Sequence, residues 1–226
     1  MATNRLRPHD IRERLLAGVP PAGRQAIVAE SRRRTVRPAQ VLFRCGERAE
    51  RLFVLRKGRV QFGRLARNGR QIVMAILVPG DVFGLGTILT EYIDYIGTAE
   101  SLESGEVLVW TRETIQTLAG EHPQLSENAL HVALRYVAMF AERHERLVTA
   151  TAEQRLARAL TRLGFRTGTR KPSGIDVPIK NDQLASLADV SPVTASRLLK
   201  QWESDGVISK SRGMVRIICP EKLLLD

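Results

Sequence analysis

From about Pro123 the apolar positions take helical spacing: Leu130, Leu134, Val137, Ala141, His144, Val148 and Thr151 follow at alternating steps of four and three. A stripe with this repeat is the seam of a helix that pairs with its own copy; the other reading is a helix that merely covers the rest of the chain. Met139, Phe140 and Leu147 add apolar surface beside it. Upstream the pattern is one of short apolar runs punctuated by glycine. Val41-Leu42-Phe43 leads to Gly46, Arg51–Leu55 to Gly58, and Val60–Ala66 to Asn68-Gly69. The last dipeptide predicts a type I′ hairpin turn, since both residues accept positive φ. A returning strand, Gln71–Val78, stops at Pro79-Gly80-Asp81, and Gly97–Leu102 and Glu106–Thr111 predict two more. Many short strands with turn signals between them predict a sandwich or roll.

After the seam, a helix over Ala152–Leu163 and a polar loop, Arg166–Gly174, lead to a third pattern. Leu184, Ala185, Leu187 and Ala188 predict a short helix, with small Ala185 where a second helix must approach closely. Asp189 falls at a sharp turn and tolerates the left-handed conformation. Ser191 is an N-cap, and Pro192 in the first turn gives up a donor that had no partner. Ala195, Leu198, Leu199 and Trp202 then form the packed face of a second helix, and Val193, Ser196, Arg197 and Lys200 the opposite face. This is a helix-turn-helix whose outer face suits a major groove; an ordinary amphipathic hairpin is the alternative. Asp205-Gly206 closes the second helix. Val207-Ile208-Ser209 and Met214–Cys219 predict strands around a basic turn, Lys210-Ser211-Arg212-Gly213. Such a hairpin is a wing, with its tip against phosphate. The candidate DNA contacts are therefore Val193, Thr194, Ser196, Arg197, Lys200, Lys210 and Arg212.

The formal charge of +11 is unevenly spread. Residues 1–40 hold nine Arg against three acids, 41–152 balance at thirteen of each, and 153–226 hold thirteen basic residues against eight acids. A neutral middle between basic ends points to a domain with no polyanion to hold beside a domain that has one. Arg5, Arg7, Arg12 and Arg14 suggest a transit peptide, but Asp10, Glu13 and the lack of a Ser-rich tract oppose it. No run is long enough for a membrane span, which predicts no membrane partner and a cytoplasmic protein. The two cysteines, Cys45 and Cys219, have no second thiol or histidine at ligand spacing, so neither a disulfide framework, a zinc site nor an iron–sulfur cluster is expected.

The order of parts resembles the catabolite-activator and fumarate–nitrate regulator superfamily of bacterial transcription factors over nearly the whole chain. The residues that carry the resemblance are Leu52-Phe53-Val54-Leu55 with Gly58-Arg59-Val60, Pro79-Gly80-Asp81-Val82-Phe83-Gly84, Gln154-Arg155-Leu156-Ala157, and Thr194-Ala195-Ser196-Arg197-Leu198-Leu199. It implies an α+β fold: a cyclic-nucleotide-binding-type β-roll (a double-stranded β-helix or jelly roll), a long dimerisation helix and a C-terminal winged helix-turn-helix. The expected domains are 1–121 with the roll, 122–152 as the dimer helix and 153–226 for DNA. The dimer interface would use Leu130, Leu134, Val137, Ala141, His144 and Val148. An effector pocket would involve Phe83, Gly84, Leu85, Gly86, Gly97 and Thr98.

Departures from the pattern narrow the ligand. Members that bind cyclic AMP carry a Glu for the ribose and an Arg for the phosphate; here Leu85-Gly86-Thr87 and Gly97-Thr98-Ala99 stand at those places. Without that guanidinium the fixed charge partner of a buried phosphate is missing. Oxygen-sensing members need an N-terminal cysteine cluster, which residues 1–40 lack. His144 is a candidate for haem binding or pH sensing, against its reading as a register-setting polar residue. The resulting expectation is a homodimeric regulator that binds an inverted-repeat operator, works with RNA polymerase, and has a possible small-molecule effector other than cyclic AMP. Two alternatives are a cyclic-nucleotide-responsive module without DNA function and a cupin-like enzyme. The second is opposed by the absence of histidine from residues 36–112.

Overall fold

The computed structural model describes residues 15–223; the Arg-rich start considered above as a transit peptide, and His9, lie outside them. Eight strands build the first part: β1 (Arg32–Val36), β2 (Val41–Phe43), β3 (Arg51–Lys57), β4 (Val60–Leu65), β5 (Gln71–Leu77), β6 (Val82–Phe83), β7 (Thr98–Ser101) and β8 (Gly105–Thr111). They form two four-stranded sheets, ordered β1-β8-β3-β6 and β2-β7-β4-β5. β3 and β8 are central in the first sheet and buried along most of their length. Phe53 joins a cluster of aromatic rings. Leu52, Val54, Leu108 and Trp110, on the other face, pack with residues of helices α1 (Pro21–Ala29), α2 (Arg112–Glu121) and α3 (Gln124–Thr149). Two buried polar side chains in this core are paired with backbone carbonyls. Trp110 Nε1 donates to Ile27 O at 2.7 Å, and Asn128 Nδ2 donates to the carbonyls of Leu15 and Ala17.

Several elements differ from expectation. β1, α1 and α2 are absent from the sequence reading, and so is β6, which follows directly on the stop at Pro79-Gly80-Asp81. At the β4–β5 connection Ala66 and Arg70 are the closing pair, so the loop is Arg67-Asn68-Gly69. Only Gly69 has positive φ, at 75°, while Asn68 Oδ1 accepts from the Arg70 N–H. This is a three-residue connection rather than a type I′ turn, and one glycine in the left-handed region suffices for it. Helix α3 ends at Thr149, so Thr151 is not a seam residue. Its hydroxyl caps α4 (Ala152–Thr167), and Gln154 returns the bond in a capping box. The satisfied cap ends the heptad that the spacing alone would have continued.

The segment read as a polar loop contains β9 (Thr169–Lys171), and β10 (Gly174–Val177) follows. With β11 (Ile208–Ser211) and β12 (Met214–Ile217) these strands form a third antiparallel sheet, ordered β11-β12-β10-β9. The wing is thus the outer half of a four-stranded sheet.

Buried Asp176 ties that sheet together. It accepts from Arg216 Nε at 2.6 Å and pairs with Lys171 Nζ at 2.7 Å. The Arg216 guanidinium, then Lys171, hold its carboxyl at about 2, below the usual carboxylate range. Because the folded pKa is the lower one, this stabilisation is present above about pH 4 and is lost as pH falls toward about 2. Asp176→Asn should flatten the acid limb of a stability-versus-pH curve and leave its neutral plateau lower. A variant whose acid limb overlays the wild type would contradict this.

The chain clusters into two compact units. One comprises Met1–Gly63 and Ile76–Met139; the other comprises Arg64–Ala75 and Phe140–Asp226. The tip of the β4–β5 hairpin therefore belongs with the C-terminal helices.

Candidate DNA-binding face and effector region

Helices α5 (Asn181–Leu187) and α6 (Pro192–Ser204) flank the expected turn, with Asp189 at a φ of 54°. Ser191 Oγ accepts from the Thr194 N–H at 3.0 Å, and the two hydroxyls lie 2.8 Å apart. Thr194 is therefore part of the cap. Ala195, Leu198, Leu199 and Trp202 are buried, and Trp202 Nε1 donates to Glu153. Opposite them Val193 is 79% exposed, Arg197 and Lys200 are exposed, and Ser196 is half-buried. A row of side chains one turn apart on an outer helix face is what a major groove admits.

The wing tip is tighter than expected. Ser211 pairs with Met214, which leaves only Arg212-Gly213 as the connection. Gly213, at a φ of 73°, lets the ladder continue to that pair. Arg212 stands exposed at the tip, whereas Lys210 lies within β11, with its N–H donating to Glu203 Oε1.

A side chain outside the candidate set holds the turn of the motif. Arg143, near the end of α3, uses all five of its donors. It forks onto the Asp189 carboxylate at 2.5 and 2.7 Å and donates to the carbonyls of Ser186, Val73 and Met74. Arg155 adds bonds to the carbonyls of Ala188, Asp189 and Ala150. The planar guanidinium fork is the group able to satisfy so many acceptors at once. The partners of Arg143 lie 43 to 70 positions away in the chain, so no local pattern points to them.

Along α3, Leu130, Leu134, Val137 and Val148 are each more than half exposed, and Ala141 and His144 are exposed as well. The opposite face buries Leu125, Ala129 and Val132. The heptad positions thus form an apolar stripe unused by the fold of a single chain.

The six residues considered for an effector pocket are closely packed. Phe83 stacks on Phe53, with centroids 5.1 Å apart, in a cluster with Phe43, Phe62 and Tyr95. The Tyr95 hydroxyl donates to Arg51 O and accepts from the Arg51 N–H, each at 2.9 Å. A Cβ at Gly97 would lie 2.7 Å from Phe62 Cζ, and one at Gly86 would lie 2.4 Å from Ile93 Cδ1. Gly84, in the left-handed region, approaches Arg51 O. Leu85 packs on the helix-side core, and the Thr98 hydroxyl accepts from the Cys45 N–H. Phe62 and Tyr95 are the members of this region that the sequence reading missed; their signal would have been that two glycines imply bulky neighbours.

Comparison with known proteins places both parts. Residues 33–122 match the cyclic nucleotide-binding domain family, and residues 154–225 match the Crp-like helix-turn-helix domain family. The chain belongs to the CRP/FNR superfamily of transcription regulators. Among the curated relatives of this regulator, a CRP-like cAMP-activated global transcriptional regulator of Mycobacterium tuberculosis is 24% identical over 92% of this chain and 94% of its own. An anaerobic regulatory protein of Bacillus subtilis is 25% identical over 79% of this chain and 76% of its own. The c-di-GMP-responsive global regulator CLP of Xanthomonas campestris has a similar structure. It matches with a TM-score of 0.76 at 20% identity, over 88% of this chain and 99% of that one. FixK2 of Bradyrhizobium japonicum is also similar, with a TM-score of 0.74 at 19% identity over 85% and 95%. The regulator's Crp-like segment contains α5, α6 and the wing, the DNA-binding part of such regulators. No helix among the described residues is long and apolar enough to cross a membrane.

Proposed function

We propose that this regulator acts as a homodimer, that it binds an inverted-repeat operator through α6 and the wing, and that its effector is not cyclic AMP. The observation that carries the DNA reading is the outward row Val193, Arg197 and Lys200 on a helix whose other face is fully packed. Arg197 reads a guanine, where its fork matches O6 and N7, and Val193 packs on a thymine methyl. RNA polymerase is the further partner at the promoters so bound.

In vitro selection with the wild type and Arg197→Ala tests the reading. The wild-type logo should show two symmetric half-sites, each with a guanine that the variant no longer requires. The variant should lose about 1–3 kcal/mol on the selected site. Lys200→Ala and Arg212→Ala should instead weaken binding to all sequences and flatten its salt dependence, as lost phosphate contacts do. Identical logos for wild type and Arg197→Ala would mean that the arginine reads no base.

The ligand statement rests on the roll. Gly97 offers no guanidinium for a cyclic phosphate, and the Phe62 ring fills the space a side chain there would need. Leu85 cannot accept a ribose hydroxyl. Calorimetry should therefore show no cyclic AMP binding in the low-micromolar range, and the nucleotide should leave operator affinity unchanged. Tight binding would overturn the statement.

A further inference from the structure

The β4–β5 hairpin carries charge that neither the roll nor the helix-turn-helix accounts for. Residues 60–80 contain three arginines and no acid, and these three, Arg64, Arg67 and Arg70, lie in the segment that clusters with the C-terminal helices. The hairpin's contacts advance along the helix-turn-helix toward the start of α6. Nearest the root, the Val73 N–H donates to Ser186 Oγ at 2.7 Å. Toward the tip the Ser186 hydroxyl reaches Gln71 O, and Arg70 Nη2 donates to Val190 O at 3.2 Å, one residue before the N-cap Ser191. The tip, Arg67-Asn68-Gly69, directly precedes Arg70 in the chain. Arg64 and Arg67 are exposed, and neither forms an ion pair among the described residues.

We propose that this hairpin is a second DNA contact, in which Arg64 and Arg67 hold phosphates of the double-stranded backbone beside the point where α6 enters the groove. The inference rests on the DNA-binding reading above and extends the contact surface to a segment of the β-roll. Two features favour phosphate as the ligand. The N-terminus of the thirteen-residue α6 already favours anions, and the hairpin that reaches the residue before its cap through Arg70 carries arginines and no acid over residues 60–80. A contact of this kind carries no sequence information; it adds affinity on any duplex and fixes the orientation of the recognition helix. Arg70 is a positioning residue, since its guanidinium is bonded to the backbone that precedes α6.

The test is the salt dependence of DNA affinity for Arg64→Ala/Arg67→Ala, measured on a mixed-sequence duplex and on the operator obtained by selection. Each lost phosphate contact reduces the slope of log K against log salt by about 0.9, so the double variant should be shallower by about 1.8. Affinity near physiological salt should fall roughly ten- to thirty-fold on both duplexes. Thermal melting should not change, because both side chains are exposed. Arg32→Ala/Arg34→Ala on β1 removes the same charge elsewhere and should leave the slope alone. An unchanged slope in the hairpin variant, tighter binding by it, or an equal shift in the β1 variant would each overturn the proposal. A wild type that binds neither duplex would overturn the DNA reading and this inference with it.

Discussion

Val137→Glu is expected to convert the protein from a dimer to a monomer in sedimentation velocity, with operator affinity reduced by two orders of magnitude or more. Val137 lies mid-way along the exposed stripe of α3, flanked one turn away by Leu134 and Ala141. In a self-paired helix it meets its own copy, so the substitution sets two carboxylates against each other in an apolar seam. Neither charge finds a partner, and desolvating them costs more than the seam returns. The fold of one chain should be indifferent, because Val137 is 62% exposed there and the helix is anchored by its other face. The DNA effect follows from valency. Two linked recognition helices act at a high effective concentration, and losing the link can remove a factor of about 10²–10⁴. A variant that sediments as a dimer would eliminate the seam. One that becomes monomeric but keeps its affinity would show that each half-site is bound independently.

Arg143→Leu should be the most damaging single substitution in the helix-turn-helix unit. It leaves the Asp189 carboxylate and the carbonyls of Ser186, Val73 and Met74 without their shared donor. Removing one member of a largely buried, hydrogen-bonded charge pair costs on the order of 3 kcal/mol, whatever the pair contributed relative to an apolar replacement. Both side chains retain some exposure, at 17% for Arg143 and 26% for Asp189, and water recovers part of that loss. Arg143→Lys restores the charge but not the five-donor fork, and should fall between the two in denaturant midpoint. Equal midpoints for wild type and Arg143→Leu would show that the turn needs no such tie.

The parts legible in the sequence are those whose causes are local. The helix-turn-helix reads clearly because a left-handed Asp, a serine cap and a packed face all lie within a few residues of one another. The central strands are visible because glycine marks their ends. β1 is hidden for the opposite reason: of Arg32–Val36 only Val36 is buried, so the strand has no alternation to display. β9 is likewise exposed throughout and reads as loop. The roll interior was legible as a departure, glycine in place of arginine, but not as a packing arrangement, because Phe62 and Tyr95 are brought to the glycines by tertiary contacts. The Arg143 tie is of the same kind. A guanidinium in an amphipathic helix reads as a solvated charge until its acceptors are known.

The exposed edge of the first sheet has a consequence for behaviour at high concentration. β1 ends the order β1-β8-β3-β6 and carries three consecutive arginines, of which only Arg33 pairs with an acid among the described residues, Glu106. A second copy adding itself to this edge would align like charges along the open backbone, and that repulsion opposes strand-to-strand polymerisation. That charge works against recruitment of this edge into cross-β assembly when the protein is crowded.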